Sequence, residues 1–295
     1  MHKTLITGAT GHLGGHVANL LLERQGAENL AILSRHPSGD TTTDFRSRGV
    51  EVREGDYGNP EELKRAFDGI DVLYFVSSSD VENRLTQHQN VVEAATQAGV
   101  RHILYTSSVR ETEGPDTVLH PIVDAHKQTE DWIKDSGIDY TILRHNLYAE
   151  VASLFIGGRD QLLQSKTVYL PAGDGRVALA PRADLAEAAA IILSEPRGYR
   201  NRILSLNGSE RVTFGEVADM LSDITGEAIN YVSPERDAFR KTMRGYGVPD
   251  DAIWMTDIFS TGIAQGEFAG PSDDLAKILG RETRSLRDFF RGVYT

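Results

Sequence analysis

The chain contains no cysteine. Disulfides, thiolate metal sites and a cysteine nucleophile are thereby excluded, and no metal site of any kind is expected. No apolar run comes near the ~18 residues that a membrane-spanning helix needs. The opening residues, Met1-His2-Lys3-Thr4-Leu5-Ile6, enter a short apolar segment at once. They lack the length and the small-residue cleavage site of a secretory leader. A cytoplasmic protein without membrane association is expected. Basic residues are in deficit, 31 Lys and Arg against 43 Asp and Glu, for a net charge of -12. A negative global field disfavours nucleic acid and anionic lipid. An anionic ligand must then rely on local donors, so each basic residue near such a site matters. Internal repeats and low-complexity linkers are absent too.

What is present is an alternation. Short apolar runs at Lys3–Thr7, Leu30–Ser34, Val50–Arg53, Asp71–Val76, His102–Thr106 and Tyr140–Arg144 have the character of strands buried on both faces. Helical segments are expected between them at His12–Gln25, Pro60–Phe67, Asn83–Ala98 and Asp124–Asp135. Pro60-Glu61-Glu62 is a good helix start, with proline early and acids in the first turn. The expected fold is α/β, a Rossmann-type doubly wound parallel sheet with right-handed crossovers, spanning residues 1–150. Residues 151–295 read as a smaller, discontinuous α/β substrate domain, with some segments returning to the main sheet. There a helix over Leu185–Leu193, a strand at Arg202–Leu206 and a short helix at Asp273–Leu279 are expected. Thr213 and Glu216 have capping-box spacing before a helix to about Thr225.

The first strand runs into Gly8-Ala9-Thr10-Gly11-His12-Leu13-Gly14, and a helix follows. Gly8 suits a tight turn, Gly11 a close approach of phosphate to backbone, and Gly14 close helix packing. The free N–H groups of the helix start complete a pyrophosphate site. The spacing is GxxGxxG, and no Gly-Lys-Ser/Thr follows, so a P-loop does not fit. The second strand ends Ser34-Arg35. An acidic residue there would take a ribose 2′-hydroxyl, whereas arginine suits a 2′-phosphate. The expected cofactor is therefore NADP(H). Asp56 and Tyr57 follow the third strand, where they can meet the adenine. Ser77, Ser78 and Ser79 follow the fourth, beside the ribose and nicotinamide path.

These motifs resemble the NmrA-like branch of the atypical short-chain dehydrogenases, and within it the quinone and triphenylmethane reductases. The resemblance continues through Tyr105-Thr106-Ser107, Asp124-Ala125-His126, Glu130, Tyr140-Thr-Ile-Leu-Arg144, Tyr148, Arg182-Ala-Asp184 and Ser272-Asp-Asp-Leu275. It covers essentially the whole chain. It implies an NADPH-dependent oxidoreductase acting on quinones or similar electron-poor aromatic compounds. It equally allows an NADP(H)-binding sensor without turnover, since the family contains both. Thr106, Arg144, His145 and Asn146 join the expected cofactor site. A possible homodimer is the expected assembly.

Most short-chain dehydrogenases use Tyr-x-x-x-Lys. With His126 at the lysine position, the tyrosine position falls on Ile122, which carries no acid. Alcohol–ketone interconversion and nucleotide-sugar epimerisation are disfavoured, because a strongly basic alkoxide needs a positioned acid. A phenolate-type product, with a conjugate acid of pKa about 10, makes a weaker demand. His126 and Tyr148 are the expected catalytic residues, His126 for a polar role and Tyr148 to stack on or cap a ring. Lys127 lies about 100° around the helix from His126 and is assigned to solvent. Trp254 and Phe259 are expected in core or interface packing.

Overall fold

The computed structural model describes residues 2–295. In its first half β1 (Thr4–Ile6), α1 (His12–Gln25), β2 (Leu30–Ser34), α2 (Asp40–Ser47), β3 (Glu51–Glu54), α3 (Pro60–Phe67), β4 (Val72–Phe75), α4 (Arg84–Gln97), β5 (His102–Ser108), α5 (His120–Asp135) and β6 (Asp139–His145) alternate. The second half holds α6 (Ala149–Ile156), α7 (Arg159–Ser165), β7 (Thr167–Tyr169), α8 (Arg182–Ser194), β8 (Arg202–Leu206), α9 (Phe214–Thr225), β9 (Asn230–Val232) and α10 (Arg236–Gly245). It ends in α11 (Asp250–Ala264), α12 (Asp274–Leu279) and α13 (Leu286–Tyr294).

Seven strands form one sheet in the order β3-β2-β1-β4-β5-β6-β8, every neighbouring pair parallel. This is the Rossmann-type α/β architecture. Strand β1 is flanked by β2 on one side and β4 on the other, with Thr4 in register with both Leu30 and Val72. The chain winds outward from β1 in one direction and then, from β4, in the other. That reversal opens a crevice beyond the carboxyl ends of β1 and β4. On one face α1 and α8 pack together through Leu13, Val17 and Leu21 with Leu185 and Ala189. On the other, α3, α4 and α5 cover Leu5, Leu73, Phe75 and Tyr105. A separate apolar core joins α6, α9, α10, α11 and α13 around Phe214, Phe239, Phe268 and Phe290, beside the two-stranded β7-β9 sheet.

Local chemistry fixes several boundaries. Asn59 caps α3 by accepting from the Glu62 N–H, with Pro60 in the first turn. Thr213 and Glu216 form a complete capping box on α9. Helix α5 starts at His120, ahead of the expected Asp124, because Pro121 sits in the first turn, where a missing N–H costs nothing. Helix α2 was not legible, since Thr41, Thr42 and Thr43 are poor helix formers. Buried Phe45 holds it instead. No helix among the described residues is long and apolar enough to cross a membrane.

Candidate active site

Gly8 turns with φ +62°, a conformation that side chains rarely adopt. A Cβ on Gly14 would lie 2.4 Å from the Gly8 carbonyl oxygen. Helix α1 therefore starts hard against the turn, and only glycine fits there. The Gly11 N–H donates to Gly8 O, and no side chain caps α1. The N–H groups of His12, Leu13 and Gly14 open the helix without a capping acceptor, a ready anion site. Thr10 and His12 are exposed, while Leu13 is buried beneath them.

From this loop a crevice of about 320 Å³ runs across the sheet edge, lined by Gly8, Thr10, Gly11, Arg35, Asp56, Tyr57, Ser77, Ser78 and Ser79. Arg35 is exposed and makes no hydrogen bond or ion pair with any described residue. The Ser34 hydroxyl accepts from the His36 N–H, which leaves its own hydrogen free. Asp56 accepts from the Gly58 N–H. Tyr57 lines the crevice with its ring edge-on to Phe75, but its hydroxyl turns inward to Thr7 Oγ1 and Val76 O. Thr106 is buried and ties the strand ends by accepting from the Ser77 N–H. A larger cavity, about 520 Å³ between Asn207 and Glu282, shares none of these residues.

At the β5 end of the crevice lies a buried polar chain. The Ser78 N–H donates to His88 Nε2 at 2.9 Å, so the His88 proton sits on Nδ1 and goes to Thr129 Oγ1. Thr129 in turn donates to Ala125 O. The Tyr105 hydroxyl lies 2.8 Å from His126 Nδ1 and 3.5 Å from the proton-bearing Nδ1 of His88. Its hydrogen is thereby directed to His126, which keeps its own proton on Nε2, where no described residue partners it. Burial and then the nearby Arg84 hold the His126 pKa well below the usual range, and His88 is lowered to about 3 mainly by burial. Both rings are neutral at pH 7. Arg84 is buried at the start of α4, donates through Nε to Ser78 O, and has no carboxylate within ion-pair distance.

Other expected residues are engaged elsewhere. Arg144 spends its guanidinium on Glu130, at 2.6 Å, alongside buried Arg110, and so offers no free fork to a cofactor. Burial raises the Glu130 carboxyl, but bonds from Arg110 and Arg144 prevail and bring it to about 2. Asn146 bridges Asn207 and Phe268 O and caps the Leu147 N–H. It fastens the end of β6 to β8 and does not reach outward as expected. His145 is buried, its Nδ1 paired with the Tyr148 hydroxyl and its Nε2 without a partner. The Arg182 guanidinium lies 4.9 Å from the Tyr148 ring centre, occupying the face a ligand ring would need on that side. Lys127 pairs with Asp131 at the surface. Phe259 packs between Phe155 and Phe268, and Trp254 is 38% exposed.

Sequence reasoning named neither Tyr105, His88 nor Arg84 as site residues. The signal was present: Arg84 and His88 are four apart on a helix that starts just after the serine run, so they share one face. With β5 ending beside β4, that face meets Tyr105.

Fold and crevice together define a Rossmann-type α/β protein with a glycine-loop site at the carboxyl edge of its sheet. The chain belongs to the NmrA-like family, whose model matches residues 1–286. It is 33% identical over 283 residues to quinone oxidoreductase 2 of Escherichia coli, covering 96% of each chain. The NADPH complex of that enzyme superposes with a TM-score of 0.91 at 32% identity, over 99% of this chain and all of the other. The Citrobacter triphenylmethane reductase complexed with NADP(H) superposes at 0.89, also at 32% identity, over 99% and 100%.

Proposed function

We propose that this protein is an NADPH-dependent reductase that transfers hydride to a quinone or similar electron-poor aromatic acceptor. The observation that carries the reading is one crevice holding the uncapped glycine loop and the unpaired Arg35, with the buried Tyr105–His126 pair joined to its Ser78 wall through His88. The first receives a pyrophosphate and the second a 2′-phosphate. The third offers a neutral N–H donor where a hydride acceptor would lie. Those residues fit NADP(H), which supplies the transferable hydride when bound. Gly8, Thr10, Gly11, His12, Leu13 and Gly14 would hold its phosphates, Asp56 and Tyr57 its adenine, and Ser77, Ser78 and Ser79 its sugar and nicotinamide half.

The chain's own contribution is positional. Tyr105 fixes the His126 tautomer, and His126 Nε2–H can donate to the acceptor oxygen. Ile122 supplies no acid, so chemistry demanding a strong proton donor is disfavoured. Proximity and orientation carry the rate. The part after residue 150 would form the acceptor wall, while residues 1–150 bind cofactor. Its place is the cytoplasm, supported by a chain that needs no disulfide, and its assembly a homodimer.

The test is NADPH oxidation against a small quinone panel, with cofactor binding measured separately. Acceptor-dependent loss of nicotinamide absorbance is the expected result. Tight NADPH binding with no turnover at any enzyme concentration would instead identify a sensor.

A further inference from the structure

Two arginines are buried among the described residues, Arg84 at 8% and Arg110 at 8% exposed. They are treated very differently. Arg110 is neutralised by Glu130 and Glu113, both at 2.8 Å. Arg84 has neither. Its one hydrogen bond goes from Nε to the carbonyl of Ser78, at 2.7 Å. The terminal nitrogens have no partner among the described residues. The nearest acid that acts on it, Asp80, is exposed and already accepts from Asn83 and Gln87. Arg84 is also the first residue of the 14-residue helix α4, where the helix end is itself positive. Burying an uncompensated cation at that end is costly. A side chain held there with two free donor groups is set up for an anion from outside.

Position says which anion. The pyrophosphate site lies past β1, on one side of β4. Arg84 is fixed to Ser78 past β4 and acts on Tyr105 and His126, on the β5 side. It shares the Ser78 loop with His88, whose Nδ1 lies 3.5 Å from the Tyr105 hydroxyl that pairs with His126.

We propose that Arg84 is a catalytic residue that receives the oxyanion created on the acceptor as hydride arrives. The proposal rests on the reductase reading. In the step, the C4–H bond of the reduced nicotinamide would break and the hydride would bond to one carbonyl oxygen of the quinone. The conjugated π electrons shift through the ring onto the second carbonyl oxygen, giving a phenolate-type anion beside the guanidinium. NADPH is oxidised, the acceptor gains two electrons, His126 Nε2–H donates a hydrogen bond to the anion, and one proton from water completes the product. The same cation makes the site selective: acceptors reduced to an oxyanion are favoured, and cationic acceptors reduced to a neutral product gain nothing from it.

Arg84→Met and Arg84→Lys test this against a neutral quinone and a cationic triphenylmethane dye. Removing one oxyanion donor lowers kcat by about 10²-fold. The Met variant should show that loss with the quinone and little or none with the dye. The Lys variant should recover part of it. NADPH affinity should not change, and thermal stability should hold or rise, because an unpaired buried charge has gone. Equal losses with both acceptors, a raised NADPH Kd or a lowered Tm would overturn the proposal and assign Arg84 to cofactor or scaffold. A second readout needs no turnover. 4-Nitrophenolate should bind the NADP⁺-loaded wild type and lose about tenfold in affinity in Arg84→Met. Such binding in a protein that reduces no acceptor would refute the reductase reading while keeping the anion site. Equal nitrophenolate binding by both forms would refute the anion site itself.

Discussion

Four imidazoles are buried neutral in this fold, and acid should therefore unfold it in a range where most carboxylates are still charged. His88 and His145 are lowered to about 3 and His102 to about 4, each chiefly by burial, and His126 lies well below its ordinary value. In the unfolded chain each returns to about 6.5 and takes up a proton below it. The unfolded state then binds more protons, so stability rises with pH and falls as pH drops from 6.5 toward 3–4. Between pH 7.5 and 5.5 each histidine costs about 1.4 kcal/mol, and the four together about 5.5 kcal/mol. That is a large share of an ordinary domain's ~5–15 kcal/mol. Urea unfolding at both pH values, with His88→Asn as a partner variant, measures it. The Asn amide can still donate to Thr129 from near the Nδ1 position but falls short of the Ser78 N–H, so the variant should be somewhat less stable at both pH values and lose about a quarter of the dependence. A wild-type change below about 1 kcal/mol would refute the reasoning, because it requires the rings to remain protonated inside the fold.

Other outcomes follow from single contacts. Arg35→Ala should raise the NADPH Kd by roughly 10- to 100-fold while leaving NADH binding unchanged, since a charge-assisted pair is worth about 1.5–3 kcal/mol; isothermal titration with both cofactors reads this directly. Glu130→Gln removes the acid from between Arg110 and Arg144 and should destabilise by about 3–5 kcal/mol, seen as a lower urea midpoint. Gly14→Ala puts a methyl 2.4 Å from the Gly8 carbonyl oxygen; the turn must shift, and NADPH affinity should fall at least tenfold in the same titration. His126→Ala should lower kcat or raise the cofactor KM, and unchanged steady-state kinetics would remove it from the mechanism.

Much of this was legible in the sequence, for identifiable reasons. The inner strands β1, β2, β4 and β5 are buried on both faces, so their apolar runs stand out, and Gly8 and Gly14 are required by backbone geometry alone. Arg35 was picked out by its place just past β2, and it lines the crevice. Helices α10 and α11 were not legible, because Arg236–Gly245 has only Ala238, Phe239 and Met243 to mark an apolar face and Asp250–Ala264 shows little amphipathic contrast. Arg144, His145 and Asn146 were placed by their loop, and the structure instead engages each within the protein: Arg144 with Glu130 on α5, His145 with Tyr148 three residues on, and Asn146 with Asn207 past β8.

The two buried arginines show where such reading stops. Arg84 opens a helix and Arg110 follows a strand, and each is next to polar residues in the chain. Each has an acid close in sequence, Asp80 before Arg84 and Glu113 after Arg110, but only Glu113 forms an ion pair. The larger difference is Glu130, which reaches Arg110 from 20 residues away and is itself shared with Arg144. No such acid reaches Arg84, because α4 directs its other polar residue on that face, His88, into the sheet to fix the serine loop. A charge becomes chemically available only when the fold withholds its counter-charge. That withholding is a property of helix packing over β4 and β5, and it is what separates a structural arginine from one placed to meet an anion.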